Sequence, residues 1–278
     1  MRNLGYYNGK TGPIEEMSVP MTDRAFYFGD GVYDAVICRN NIPYLLDEHT
    51  ERFFSNCRTI GIVVPSEKDE FKNLIRTLVK AVDGKEKFIY FHASRGSGIR
   101  THAFEGKNGN LCIMITPMSV GDIYEKMNTC LIKDNRYELC NIKTLNLLPS
   151  VMAAQFSQKN DCDEAIFYRK DFVTEGSHSN VSILKNGKLV TAPADCYILP
   201  GVTRAHLIAS AIAHGIEVEE RHYSVSELYS ADEIIITSSS KIARGVKTLD
   251  GKSVCGGDER TLRLLQDDLY GNYLRSTN

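Results

Sequence analysis

The 278-residue sequence lacks a dominant sign of charge: 33 Lys plus Arg stand against 35 Asp plus Glu, 33 − 35 = −2. A nearly neutral chain has no electrostatic footprint for nucleic acid or an anionic membrane as partner. It lacks any apolar run approaching the roughly 18–20 residues that a transmembrane helix needs. The opening Met-Arg-Asn-Leu-Gly-Tyr-Tyr has no apolar core of the kind a secretory leader carries. Eight cysteines are present but form no CxxC pair and no dense framework, so free, mostly structural thiols in a reducing cytoplasm are expected. Five Gly-Lys dipeptides occur without G-x-x-x-x-G-K-S/T, and there is no H-E-x-x-H, G-x-S-x-G or Cys/His cluster. His49 stands among Asp47, Glu48 and Glu51, but acidic residues at a helix start are favoured by the helix dipole. That group reads as a solvated helix start, and no metal is expected.

What is present is ordinary globular composition, 42% hydrophobic and 24% charged. Asn8-Gly9, Asn186-Gly187 and Asp250-Gly251 tolerate positive φ and predict tight hairpins, as do Asn40-Asn41 and Lys170-Asp171. Strands joined by such turns are antiparallel, so this is not a repeating βαβ chain. Helical spacing predicts helices over 48–60, from Ser66 through Val79, over 151–158, over 203–214 with Thr203 as N-cap, and from Glu259 to about Leu274. The polar stretch from Pro117 to Lys126 is the best linker. The expected organisation is two α+β domains, 1–118 and 119–278.

Leu199-Pro200-Gly201-Val202-Thr203-Arg204 is a loop entering a helix, where unpaired N–H groups make an anion site unless Thr203 simply caps them. Thr237-Ser238-Ser239-Ser240 follows an apolar strand and is either a second oxyanion cradle or a plain loop. Lys143 lies in apolar company. A lysine held neutral by burial attacks carbonyl carbon, whereas one near the surface snorkels to water.

Ile142-Lys143-Thr144-Leu145-Asn146, Thr174-Glu175-Gly176-Ser177-His178-Ser179-Asn180-Val181 and Leu199 to Arg204 occur in an order and spacing that resembles fold-type IV enzymes using pyridoxal 5′-phosphate (PLP). This is the class IV aminotransferase family, which includes branched-chain aminotransferases, D-amino-acid aminotransferases and aminodeoxychorismate lyases. Phe28-Gly29-Asp30-Gly31-Val32-Tyr33 and His49-Thr50-Glu51-Arg52-Phe53 add two landmarks, and the likeness runs from about residue 5 to 255.

The resemblance implies that Lys143 holds PLP as a Schiff base and shuttles the substrate proton. It implies that Glu175 faces the pyridine nitrogen, that Arg52, Val202, Thr203, Ser238 and Ser239 grip the phosphate, and that Leu199 packs on the ring, besides serving as a core leucine. Arg100 and His102 form an R-x-H pair similar to the carboxylate trap of D-amino-acid aminotransferases, completed by Tyr33. In that group the Arg and His come from the partner subunit, so a homodimer with the site at its interface is implied. The reading favoured is ping-pong transamination from a D-amino acid of D-alanine type to a 2-oxo acid. Aminodeoxychorismate lyase and L-branched-chain aminotransferase are the alternatives. His178 stands where the D-specific enzymes carry serine, and the Ser238 to Ala243 loop lacks the Gly-Thr-Ala tract of the branched-chain group.

Overall fold

The computed structural model describes residues 1–104, 108–254 and 256–278. The chain divides into two compact units. The first holds Met1–Ser119, Ile142–Asn146 and Arg275–Asn278; the second holds Val120–Asn141 and Leu147–Leu274.

The first unit contains β1 (Leu4–Tyr7), β2 (Lys10–Gly12), α1 (Arg24–Phe28), β3 (Gly31–Arg39), β4 (Ile42–Pro43), α2 (Leu46–Thr59), α3 (Lys68–Leu78), β5 (Glu86–Ser94) and β6 (Asn110–Pro117). The strands form an antiparallel sheet in the order β2-β1-β6-β5-β3-β4. Alternation along its central strands gives it two unlike faces. One face, with Val32, Val36, Ile89, Phe91, Ile113 and Ile115, is fully buried under Phe53 and Cys57 of α2 and Phe71 and Ile75 of α3. The rings of Phe53 and Phe71 stack at 5.6 Å, and Phe91 meets Phe53 edge-on at 5.0 Å, the offset geometries that aromatic quadrupoles favour. The opposite face carries Tyr33, Tyr90 and His92, all half-buried, with Tyr33 opposite His92 across the β3–β5 pair.

The second unit contains β7 (Met127–Lys133), α4 (Leu148–Lys159), β8 (Glu164–Arg169), β9 (Phe172–Gly176), β10 (Asn180–Lys185), β11 (Lys188–Thr191), α5 (Val202–Ala213), β12 (Glu217–Glu220), α6 (Val225–Tyr229), β13 (Glu233–Ser238), β14 (Ile242–Leu249), β15 (Lys252–Ser253) and α7, Glu259–Ser276, whose last residues fall in the first unit. Its sheet runs β12-β11-β10-β13-β14-β7-β8-β9, with β15 on β14. Ile166, Val181, Ile183, Ile234, Ile236 and Val246 form its core together with Tyr223 and Leu228.

Each turn dipeptide read from the sequence closes an antiparallel pair: β1–β2, β3–β4, β8–β9, β10–β11 and β14–β15. Asn8, Asn40, Asn41, Lys170, Asn186 and Asp250 all take positive φ there. The sheet of the second unit is nonetheless mixed, because β7 runs parallel to both β8 and β14, and β11 runs parallel to β12. Those pairings join strands distant in sequence, where no turn dipeptide announces the partner.

The helix starts also differ from the sequence expectation. α3 is capped by Glu67, in a reciprocal capping box with Glu70, rather than started by Ser66. α4 begins at Leu148, with Pro149 in its first turn, where a missing N–H costs nothing. α1 carried no periodic signal because its five residues span little more than one turn. Cys38, Cys57, Cys112, Cys130, Cys140, Cys162 and Cys196 are free thiols, and Cys255 lies outside the described residues. Among the described residues no helix is long and apolar enough to cross a membrane.

Candidate active site

In the first unit, Lys143 is positioned by backbone pairing. The Tyr33 amide donates to the Lys143 carbonyl at 2.9 Å, and the Leu145 amide donates to the Gly31 carbonyl at 3.0 Å. The segment 142–146 thereby lies alongside the start of β3. Gly31 permits that approach, since a Cβ there would sit 2.5 Å from Leu145 Cδ1 and 2.8 Å from the Ala93 carbonyl. The Lys143 ammonium stands 4.4 Å above the Tyr33 ring, which in turn stacks on Tyr90 at 5.6 Å. Lys143 is half-buried, and the facing aromatic π-cloud is a favourable place for a cation.

On the buried face of the same strand lies Asp34, a residue the sequence reading passed over. Arg52 Nε donates to Asp34 Oδ2 at 2.9 Å and Arg52 Nη2 to Oδ1 at 2.8 Å. His49 Nδ1 lies 2.8 Å from the same Oδ1. Burial alone would raise the Asp34 carboxyl, but Arg52 and His49 outweigh it and hold it well below the usual carboxylate range. Burial pushes His49 below its ordinary value despite Asp34. His49 is therefore not the solvated group expected from its acidic neighbours. His49 is 2% exposed, with its Nδ1 on Asp34. Arg100 and His102 lie on an exposed segment after β5. The Arg100 guanidinium sits 5.0 Å from the Phe28 ring, and the His102 ring lies 5.3 Å from that ring. Among the described residues no hydrogen bond or ring contact joins either of them to Tyr33.

In the second unit, Glu175 is the penultimate residue of β9 and almost fully buried. Arg136 Nη1 donates to its Oε1 at 2.5 Å, while Asn180 Nδ2 and the Leu199 amide each donate to Oε2 at 2.9 Å. Arg136 is held in turn by Asp134, through Nε at 3.0 Å and Nη2 at 2.9 Å. Burial lowers the Arg136 guanidinium, yet Asp134 and Glu175 outweigh that and raise it, so the group stays cationic. Neither Arg136 nor Asp134 stands in a motif, and no signal in Lys133-Asp134-Asn135-Arg136 separates them from a polar loop.

Asn180 also donates to the Leu199 carbonyl at 2.9 Å, tying two of the motifs together. Gly201 is required by this contact, because a Cβ there would fall 2.0 Å from Asn180 Oδ1. Gly201, not Thr203, is the N-cap of α5, and no side chain caps the helix. The first N–H groups of α5 thus remain available to an anion, with Val202 and Thr203 buried in the first turn. Leu199 is half-buried rather than a core leucine; the core position is taken by Ile198.

Ser238 ends β13 and Ser239 lies in the turn before β14. The Lys241 amide donates to Ser238 Oγ at 3.2 Å, and Lys241 Nζ to Glu164 Oε2 at 3.1 Å. Glu164, fully buried, also accepts from Ser177 Oγ at 2.5 Å and from Ser179 Oγ at 2.9 Å. Burial would raise this carboxyl, but His178, Lys241 and the two serines hold it low. His178 Nε2 lies 3.1 Å from Lys241 Nζ, so the departure at 178 joins the segment after Glu175 to the serine turn.

The first unit carries an amine on an aromatic ledge, and the second carries a clamped carboxylate, a helix N-terminus without a side-chain cap and a hydroxyl-rich turn; each is a group type that PLP uses. Comparison with known proteins gives the family. The model of the family Amino-transferase class IV matches residues 31–249. D-alanine aminotransferase from Staphylococcus epidermidis is 32% identical over 275 residues, 98% of each chain. The branched-chain amino acid aminotransferase of Escherichia coli superposes with a TM-score of 0.89 at 21% identity, covering 100% of this chain and 97% of that one. A hypothetical aminotransferase from Mycobacterium tuberculosis in a PLP-bound form gives a TM-score of 0.84 at 20% identity, covering 97% and 99%. On this footing the α+β chain described above belongs to the class IV aminotransferases, the enzymes of fold type IV.

Proposed function

We propose that this enzyme moves the amino group of a D-amino acid, of D-alanine type, to a 2-oxo acid in two half-reactions on one PLP. The observation that carries the chemistry is the environment of Glu175, whose two oxygens receive Arg136, Asn180 and the Leu199 amide. A carboxylate held by a guanidinium and two further N–H donors is suited to face a pyridine N–H. When bound, PLP supplies an aldehyde that takes up an amine and a ring that draws off the electron pair left by α-proton loss.

The protein's own part follows from residue chemistry. Lys143 would hold the cofactor covalently, and its amine, once free, would take the substrate α-proton and carry it. Val202 and Thr203 at the N-terminus of α5, Ser238, Ser239 and Arg52 supply N–H, hydroxyl and guanidinium groups to the phosphate. Leu199 would pack against the ring. Arg100 offers a two-pronged fork to the substrate carboxylate, with His102 and Tyr33 as further donors. Support for the D-series comes from this Arg–His pair and from the full-length likeness to D-alanine aminotransferase.

A homodimer in which Arg100 and His102 serve the partner's site is part of the proposal. α4 turns Leu148, Val151, Met152 and Phe156 to solvent, 43–70% exposed, an apolar row of the kind a second copy covers. The free thiols fit a cytoplasmic setting.

The test is the visible spectrum of the PLP-loaded protein before and after D-alanine, with L-leucine in a parallel sample. Bleaching by D-alanine alone supports the proposal. Bleaching by L-leucine alone moves the enzyme to the branched-chain type. If neither bleaches and aminodeoxychorismate alone releases pyruvate, the enzyme is a lyase. Protein that stays colourless with added PLP overturns the cofactor reading.

A further inference from the structure

The loop bearing Arg100 and His102 is exposed, and an exposed loop does not by itself hold a carboxylate trap in one geometry. Beneath it lies a buried guanidinium that the mechanism above does not use. Arg24 is 3% exposed. Its Nε donates to Asp30 Oδ2 at 2.8 Å, its Nη1 to the Thr101 carbonyl at 2.6 Å and its Nη2 to the His102 carbonyl at 3.1 Å. Its Cζ stands 4.8 Å from the Phe28 ring and 5.1 Å from that of Phe104. Phe28 is also the ring against which Arg100 and His102 rest.

We propose that Arg24, with the ring of Phe28, is the positioning residue that fixes Arg100 and His102 for the substrate carboxylate. This rests on the reading of Arg100 and His102 as that trap. Two hydrogen bonds to successive carbonyls leave the backbone at 101–102 little freedom, so both side chains depart from fixed points. The base of the device is itself anchored. Arg24 N donates to the Gly96 carbonyl at 2.9 Å and Gly98 N to the Thr22 carbonyl at 3.0 Å, while Tyr27 Oη donates to the Gly98 carbonyl at 2.7 Å. Asp23 caps α1 by accepting from Ala25 N at 2.9 Å and also receives Tyr7 Oη at 3.0 Å. The role demands arginine, because only a planar fork reaches a carboxylate and two carbonyls at once, whereas an ammonium is a single point of charge.

The experiment compares R24M, R24K and R100A as PLP-loaded enzymes, measuring the D-alanine concentration that half-saturates bleaching of the visible band, the maximal bleaching rate and the PLP dissociation constant. For R24M the half-saturating concentration rises about tenfold or more, while PLP affinity and maximal rate stay within about twofold. R24K lies between R24M and the parent. Hydrogen exchange of the amides at 98–104 accelerates in R24M. An unchanged half-saturation in R24M, with that of R100A raised, overturns the role of Arg24. An unchanged half-saturation in R100A instead overturns the trap reading on which it rests. If R24M does not fold, Phe28→Leu keeps the Asp30 pair and removes the shared ring. The same rise is expected there, and its absence overturns the proposal.

Discussion

Arg136 Nη1 lies 2.5 Å from Glu175 Oε1, and Asp134 fixes Arg136 from the far side. The pair is nearly dry, with side chains 11% and 7% exposed. A buried ion pair of this kind is costly to build and more costly to break, since removing one partner strands the other. The pair stands beside Asn180 and Leu199, so it fixes the orientation of the carboxylate proposed to face the cofactor.

Arg136→Met accordingly leaves Glu175 with Asn180 and one amide. Turnover is expected to drop about 10–100-fold, the usual scale for losing a supporting partner, with a shifted visible band and PLP still bound. A spectrum and turnover number equal to those of the parent would show that Glu175 needs no such support.

Lys143→Ala removes both the proposed covalent hold and the proposed proton shuttle. Turnover is expected to fall by at least about a thousandfold, with partial recovery on adding a small primary amine. Ordinary activity in this variant would sink the proposed scheme.

For Arg100→Ala the proposed trap predicts a loss in substrate binding. KM for D-alanine should rise about 10–100-fold, as expected when a charge-assisted pair to a carboxylate is lost. The PLP dissociation constant is expected to stay put. A rise in PLP dissociation with KM unmoved would place Arg100 on the cofactor instead.

The Asp34–His49–Arg52 cluster makes stability depend on pH. Both folded groups bind protons less readily than in the unfolded chain, where His titrates near about 6.5 and Asp near about 3.9. The unfolded state therefore takes up protons that the folded state refuses as pH falls. Their contribution is present above about pH 6.5. The part due to His49 is lost below that value, and the part due to Asp34 below about pH 4. Asp34→Asn strands Arg52 and should lower stability at neutral pH by about 3–5 kcal/mol while flattening the acid limb. Urea unfolding from about pH 2 to 8 is the measurement, and an unaltered acid limb in the variant would remove Asp34 as its source.

The turns were legible in the sequence because positive φ is a local demand that Asn and Gly answer locally, and every such dipeptide closes a hairpin. The family, too, was written in short motifs: Ile142 to Asn146, Thr174 to Val181 and Leu199 to Arg204. The groups that hold those motifs in place were not legible. Asp34, Arg136, Glu164 and Arg24 are charged residues in unremarkable surroundings, and nothing in a linear chain says that their partners lie 18, 39, 13 to 77 and 77 residues away.

By itself, then, the sequence determined the hairpins, most of the helices, the chemical types gathered in the motifs and the family. Only the tertiary structure decided that β7 pairs in parallel, that Gly201 rather than Thr203 opens α5, that His49 is buried on Asp34, and which guanidinium meets which carboxylate. The reason is physical. Local conformation answers to neighbouring residues, whereas a buried charge is tolerable only where folding delivers its counter-charge, and that delivery is a property of the whole packed chain.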